Sequence, residues 1–414
     1  MMSVPEVMEE GALDPFKGDD AWKDKEAPGI LFATNRMPAE EGVAVSYLNK
    51  RDVLLHLGMA LINIGDSSEF IDNIENIEYL KNSGESYPLT LGNVTEFGPL
   101  DNALHGLVDL SRLSGDPHEP AEKFAGIINR RLVDNPVKDI FIYVHGVNTS
   151  FESPLLVASE LWHYMGYRGV FIAFSWPSGQ NILEYISDVD TAEYSAILFR
   201  KFLEFLRSET DAEKIHILAF SAGTKLVSQS LHQIGLLDSC MSEENVHPRS
   251  DTAKIGRVLF TAGDVERQLF GMYASDNLLE PVESLTVYMS DSDNALRASK
   301  NIRQYPRLGQ PWKEGELPPE ALSFIQSSGK LTFVDVSGLE GTEEKSGHEY
   351  FRSSPWVSSD VFVNLGLGLS PGERGLVLNE NQVYWSFPED YIERLSLTLE
   401  QRAFEQKLMS ISAP

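Results

Sequence analysis

From about residue 118 the chain alternates between two hydrophobic patterns. Short, almost wholly apolar runs read as strands: DIFIYVHG (139–146), GVFIAFSW (169–176), KIHILAF (214–220), KIGRVLFTAGD (254–264), SLTVYMSDSD (284–293) and KLTFVDVSG (330–338). Segments with apolar residues at helical spacing lie between them: EPAEKFAGIINRRLVDN (119–135), SPLLVASELWHYMG (153–166), residues 182–206 and AGTKLVSQSLHQIG (222–235). Ser153 is the expected N-cap of the second, with Pro154 in its first turn. Strands this apolar, separated by helices, predict a mostly parallel central sheet with both faces covered, an α/β fold. Chemistry in such a sheet collects at the carboxyl ends of the strands.

The flanks read differently. Residues 1–28 are acidic, aperiodic and contain Pro5 and Pro15, which predicts a loose tail. GILFATNR (29–36) and VLLHLGMALINIG (53–65) have strand composition, and turn signals stand at Asn82-Ser83-Gly84 and Gly92-Asn93. Residues 29–117 therefore read as an N-terminal β-rich extension joined to a core at 118–349. Residues 350–414 read as a C-terminal extension of helix and loop packed on that core. The stretch 294–329, rich in glycine and proline, reads as a lid, a rim or a plain surface connection.

Composition narrows the partners. The chain has 414 residues with 62 acidic and 34 basic side chains, a formal net charge of −28. That potential repels phosphate backbones and anionic lipid surfaces, so nucleic acid is not an expected partner. No apolar run is long enough to span a bilayer and the N-terminus has no apolar signal segment, so a cytoplasmic protein without membrane insertion is expected. The one cysteine, Cys240, excludes a disulfide framework within the chain and, flanked by acidic residues, reads as a bystander.

The strand ends hold the candidate chemistry. Ala219-Phe220-Ser221-Ala222-Gly223 sits between a strand and a helix, the setting in which a sharp turn exposes a nucleophilic serine. Gly223 supplies the small residue this turn needs on its far side. Ala219 adds one methyl where a glycine is usual. The competing role for Ser221 is a helix N-cap. His145-Gly146-Val147-Asn148 follows an earlier strand, where one half of an oxyanion hole is expected; the donors would be the backbone N–H groups of Val147 and Ala222. Gly146 allows close approach to substrate, His145 is expected to shape the loop, and Asn148 to pin it through its side chain. Trp176 either walls an acyl pocket or packs in the core. Of the nine histidines only His348 lies beyond the strand at 284–293, in Gly347-His348-Glu349-Tyr350-Phe351, which makes it the candidate base. Asp264 and Asp293 both follow strands and either can orient an imidazole; each can equally cap a helix.

YVHGVNTSFESPLL, FSWPSGQ, HILAFSAGT, YMSDSDNAL and GHEYF, with the upstream ILFATNR, resemble in order and spacing the DUF900 family of α/β hydrolases, bacterial esterases or lipases of poorly defined function. The resemblance covers roughly residues 29–390. It implies an α/β-hydrolase fold with a serine triad, and its S-x-x-D-x-A-L element falls on Ser290 to Leu296, which makes Asp293 the acid. The expected site is then Ser221, His348 and Asp293, with Val147 and Ala222 as oxyanion donors and His145, Gly146, Asn148 and Trp176 near substrate. A small-molecule ester is the expected substrate, with no metal or organic cofactor implied. Amide or thioester cleavage on the same residues, or a non-catalytic binding scaffold, are the alternatives.

Overall fold

The structure, a computed structural model, describes residues 2–16, 29–39, 45–64, 89–106, 108–113, 115–179, 185–243, 254–313, 315–343, 346–380 and 382–412. The strands are β1 (Ile30–Pro38), β2 (Tyr47–Ile64), β3 (Leu89–Pro99), β4 (Asp139–Val144), β5 (Val170–Ser175), β6 (Lys214–Phe220), β7 (Lys254–Thr261), β8 (Val282–Met289), β9 (Leu331–Asp335), β10 (Val377–Leu378) and β11 (Tyr384–Ser386). The helices are α1 (Glu6–Glu9), α2 (Glu119–Val133), α3 (Glu152–Tyr164), α4 (Tyr185–Glu209), α5 (Gly223–Glu243), α6 (Arg267–Tyr273), α7 (Asn294–Arg303), α8 (Pro319–Ser328), α9 (Tyr350–Ser353), α10 (Pro355–Leu367) and α11 (Tyr391–Ser412).

All the strands join one sheet in the order β10-β11-β9-β8-β7-β6-β4-β5-β1-β2-β3. From β11 to β1 every neighbouring pair is parallel. β1–β2, β2–β3 and β10–β11 are antiparallel. Strand alternation divides the core in two. Ile140, Ile142 and Val144 pack with Phe124 of α2, Phe202 of α4 and Leu226 of α5. Phe141 and Tyr143 face the other way, with Leu155 and Leu161 of α3 and Val361 of α10. β5 and β6 leave β4 in opposite directions along the sheet, so the crevice at the carboxyl ends of β4 and β6 is the topological switch point where ligands bind such sheets.

Several local expectations change. The segment before β1 is not loose where it is described: α1 buries Val7 and Met8, and Val7 N–H donates to Ser359 Oγ at 3.1 Å on α10. Residues 17–28 and the turn at Asn82-Ser83-Gly84 lie outside the described residues. Gly92-Asn93 is not a turn but part of β3. α3 starts a residue before Ser153, which therefore does not cap it; Ser150 Oγ instead accepts from Ser153 N–H at 3.4 Å. The C-terminal extension contributes β10 and β11 to the sheet edge as well as helices. Among the described residues no helix is long and apolar enough to cross a membrane.

The antiparallel end of the sheet is fastened by buried charge. His56 on β2 bonds Glu96 Oε1 of β3 through Nδ1 (2.7 Å) and Asp52 Oδ2 through Nε2 (3.1 Å). Arg112 donates twice to Asp52, at 2.9 and 2.7 Å. Burial alone lowers the pKa of His56, but hydrogen bonds to Asp52 and Glu96 and their charges outweigh it and raise it above 6.5. A raised folded pKa contributes stability that is present below the unfolded value and lost as pH rises through the folded one. Thermal unfolding measured between about pH 6 and about pH 9 should show a falling Tm, and His56→Gln should flatten that alkaline slope. Equal slopes in the two proteins would mean that His56 is neutral in the fold.

Candidate active site

The turn after β6 places Ser221 at the switch point. Its φ is +54°, the left-handed region that L-residues avoid. Neighbouring hydrogen bonds hold it there: Ser221 N–H donates to Thr261 O (3.0 Å), and Ser221 O accepts from Thr224 Oγ1 (2.6 Å) and Asp264 N–H (3.2 Å). Two glycines make room. A Cβ on Gly146 would stand 2.7 Å from Ser221 Cβ, and one on Gly223 would stand 2.5 Å from His145 O. Ala219 is fully buried between Val144 and Phe260, so its extra methyl is absorbed by the sheet.

His348 lies on the loop between β9 and α9, packed on Phe220 with ring centroids 4.9 Å apart. Its Nδ1 is 2.7 Å from Asp293 Oδ2 and its Nε2 is 2.8 Å from Ser221 Oγ. The carboxylate accepts only, so Nδ1–H donates to Asp293 and Nε2 is left to accept from the serine hydroxyl. Gly347, at φ +68°, turns the loop where a Cβ would meet Ser292 O at 2.7 Å. Asp293 is fully buried, and its other oxygen accepts from Leu296 N–H at 2.9 Å. It thus caps α7 and holds His348 with the same carboxylate. Asp264 does neither. Tyr185 OH donates to its Oδ2 (2.7 Å) and Ser299 Oγ to its Oδ1 (2.5 Å), while Glu266 caps α6.

A cavity of about 440 Å³ opens on Ser221 and His348. Asn148, Tyr185, Asp188 and Asp264 contribute polar groups to it, and α7 walls it with Leu296, Ala298 and Ile302. This is the part of 294–329 that borders the site; α8 packs on β9 instead, through Phe324 and Ile325. No lysine or arginine lines the cavity among the described residues.

Three residues expected near substrate lie behind the wall. Trp176 is fully buried; its indole stacks on His145 with centroids 5.2 Å apart, and Nε1 donates to His145 O at 2.7 Å. Those contacts make it a prop under the loop rather than a pocket wall. His145 is buried, its Nδ1 bonds Gly146 O at 2.6 Å, and burial followed by the charge of Arg36 pushes its pKa well below the usual range. Gly146 serves by bringing its backbone close to Ser221, and does not line the cavity. Asn148 does line it, at φ +56°, but the loop is pinned by other side chains. Thr149 Oγ1 donates to Val147 O (3.0 Å), Ser178 Oγ donates to Thr149 O (3.1 Å), and Arg36 donates to Thr149 O (2.9 Å). Val147 borders the cavity and Ala222 follows the serine; among the described residues neither backbone N–H is engaged by another group. Among the described residues no cluster of three or more His, Cys, Asp or Glu side chains is arranged to hold a metal ion.

A family profile described as an alpha/beta hydrolase of unknown function, DUF900, matches residues 121–364, more than half of the chain. The chain belongs to this family. Every residue of the Ser221–His348–Asp293 arrangement falls within the DUF900 match. The chain is also similar to the uncharacterized protein alr1448 of Nostoc sp. (strain PCC 7120), 27% identical over 218 residues. That alignment covers 42% of this chain and 57% of the relative, so it spans little more than half of the relative's length. Two solved structures overlap loosely. A candidate cell surface hydrolase from Lactobacillus plantarum WCFS1 has a TM-score of 0.32 at 11% identity, covering 56% of this chain and 93% of its own. An inhibited esterase B from Lactobacillus rhamnosis has a TM-score of 0.28 at 11% identity, covering 55% and 80%. Likeness at that level carries no information on chemistry. The α/β-hydrolase assignment rests on the DUF900 match and on the sheet.

Proposed function

We propose that this DUF900 protein is a serine hydrolase that cleaves carboxylic esters. The observation that carries the reading is the unbroken hydrogen-bond path from Ser221 Oγ through the His348 ring to Asp293. On this reading His348 Nε2 takes the Ser221 proton as Oγ attacks the ester carbonyl carbon. The carbonyl oxygen becomes an anion, received by the N–H groups of Val147 and Ala222. Collapse of that intermediate breaks the bond to the alcohol, which leaves with the proton from His348. Water then attacks the acyl-enzyme, with His348 again as base, and releases the acid. Asp293 holds the Nδ1–H tautomer throughout. The mostly apolar wall on α7 and the carboxylates of Asp188 and Asp264 suit a neutral ester better than one bearing a carboxylate.

A fluorophosphonate reagent tests this directly. It should label the protein once, and peptide mapping should place the adduct on Ser221. The labelled protein should lose turnover of a p-nitrophenyl ester in proportion to the adduct. A protein that folds but takes up no reagent at Ser221 would be a binding scaffold. Labelling with turnover of amides or thioesters but not esters would keep the mechanism and change the substrate class.

A further inference from the structure

Arg36 stands near the end of β1 in ILFATNR, and its side chain is wholly buried. An arginine in this position is expensive, because desolvating a cation is repaid only by close partners of opposite charge or by full hydrogen bonding. Among the described residues the hydrogen bonds that this guanidinium donates all go to neutral oxygens. Nε donates to Ser175 Oγ (3.0 Å), one terminal nitrogen to Asn49 Oδ1, and the other to Thr149 O (2.9 Å) and Ser150 O (3.4 Å). Burial pulls its pKa down to about 9, partly offset by the charge of Asp188, so it remains a cation at neutral pH.

The fork therefore ties three elements to one loop. β1 carries the guanidinium, β2 contributes Asn49, β5 contributes Ser175, and the loop after β4 offers the carbonyls of Thr149 and Ser150. The tie continues into the cavity wall, since Thr149 Oγ1 donates to Val147 O. The stacked pair of His145 and Trp176 supports the other end of the same loop. Between the two supports lie Gly146 and Val147, beside the nucleophile.

We propose that Arg36 is a positioning residue for hydrolysis: clamped under residues 149–150, it fixes the direction of the Val147 N–H toward the reacting carbonyl oxygen. The proposal rests on the reading of Ser221 as nucleophile. Arg36 does not touch substrate. Its effect belongs to the transition state, where an oxyanion donor turned out of line loses most of its value while ground-state binding in the cavity changes little.

The test compares wild type with Arg36→Lys, Arg36→Met and Asn49→Ala, using a short p-nitrophenyl ester. Each kcat is divided by the number of sites that a fluorophosphonate labels at completion, so that unfolded protein does not count. Arg36→Met should lower per-site kcat on the order of 10²–10³-fold, the scale of one lost oxyanion donor, with KM changed less than about threefold. Lysine keeps the charge without the fork, so Arg36→Lys should recover part of that loss and remain about 10-fold or more below wild type. Asn49→Ala frees one arm of the fork and should give a smaller fall of kcat in the same direction. The acid limb of the pH–rate profile should stay in place in all of them, because Arg36 makes no contact with His348. If Arg36→Met does not fold, Arg36→Lys and Asn49→Ala decide. Per-site kcat at the wild-type value in these variants, with only Tm lowered, would overturn the proposal and make Arg36 a purely structural residue. Failure of the wild type itself to label at Ser221 would overturn the underlying reading, and the proposal with it.

Discussion

Ser221→Ala should lower kcat on a short p-nitrophenyl ester by on the order of 10⁴-fold or more, while the protein stays folded. On the proposed mechanism the loss is large because the path through His348 serves one oxygen, Ser221 Oγ, at 2.8 Å. The fold should survive because alanine keeps the Cβ that packs by Gly146. Serine and alanine also resist the left-handed backbone at φ +54° about equally, so no new strain is introduced. The hydrogen bonds that anchor the turn use the backbone of residue 221 and are retained. His348 remains tied to Asp293 without the serine. The residual rate should be what the oxyanion donors and binding supply alone. Steady-state kinetics with thermal unfolding on the same preparation checks both halves. Wild-type turnover in the alanine protein would remove Ser221 from the chemistry; an unfolded variant would show that the hydroxyl supports the turn.

Chain order pointed to Ser221 and His348 of the candidate site, while both Asp264 and Asp293 follow strands and the resemblance to the family pointed to Asp293. A serine in a strand-to-helix turn, an aspartate after a later strand and a lone late histidine form a sequential pattern, and parallel topology sends all three to one sheet edge. Their meeting within hydrogen-bond distance follows from the order β9-β8-β7-β6, which places consecutive strands side by side. What was not legible depends on contacts distant along the chain. Arg36 meets Thr149 only because β1 pairs in parallel with β5, a pairing no local pattern announces. Its one sequence signal is a lone cation at the end of an apolar strand. Trp176 follows a strand at the functional edge, a position that leaves a pocket wall and core packing equally open. Its side chain in fact turns beneath the loop at 145–148, since an indole N–H needs a buried acceptor and His145 O provides it. Tyr185 and Ser299 were missed for a similar reason: they gather on Asp264 from α4 and α7, elements that are far apart in sequence.

The choice between the two aspartates has a sharper test than removal. Asp293→Asn should lower kcat by up to about 10⁴-fold with little change in stability. The argument turns on its two oxygens. Oδ1 accepts from Leu296 N–H and caps α7; Oδ2 accepts from His348 Nδ1–H. An asparagine has one oxygen and one NH₂. The backbone N–H of Leu296 needs the oxygen, so the NH₂ is turned toward His348. Nδ1 must then accept, the ring proton moves to Nε2, and Nε2 can no longer receive the proton of Ser221. The helix cap is kept and the wrong tautomer is imposed, so catalysis is lost while the fold is spared. Asp264→Asn should behave oppositely. It weakens the bonds from Tyr185 and Ser299 and leaves Arg307, whose Nε is 3.5 Å away, without a buried counter-charge. That variant should lose about 1–3 kcal/mol of stability and keep the Ser221–His348 chemistry. Per-site kcat and thermal unfolding of the two variants, measured side by side, separate the roles. An inactive Asp264→Asn with an active Asp293→Asn would move the orienting carboxylate one strand earlier and reduce Asp293 to a helix cap.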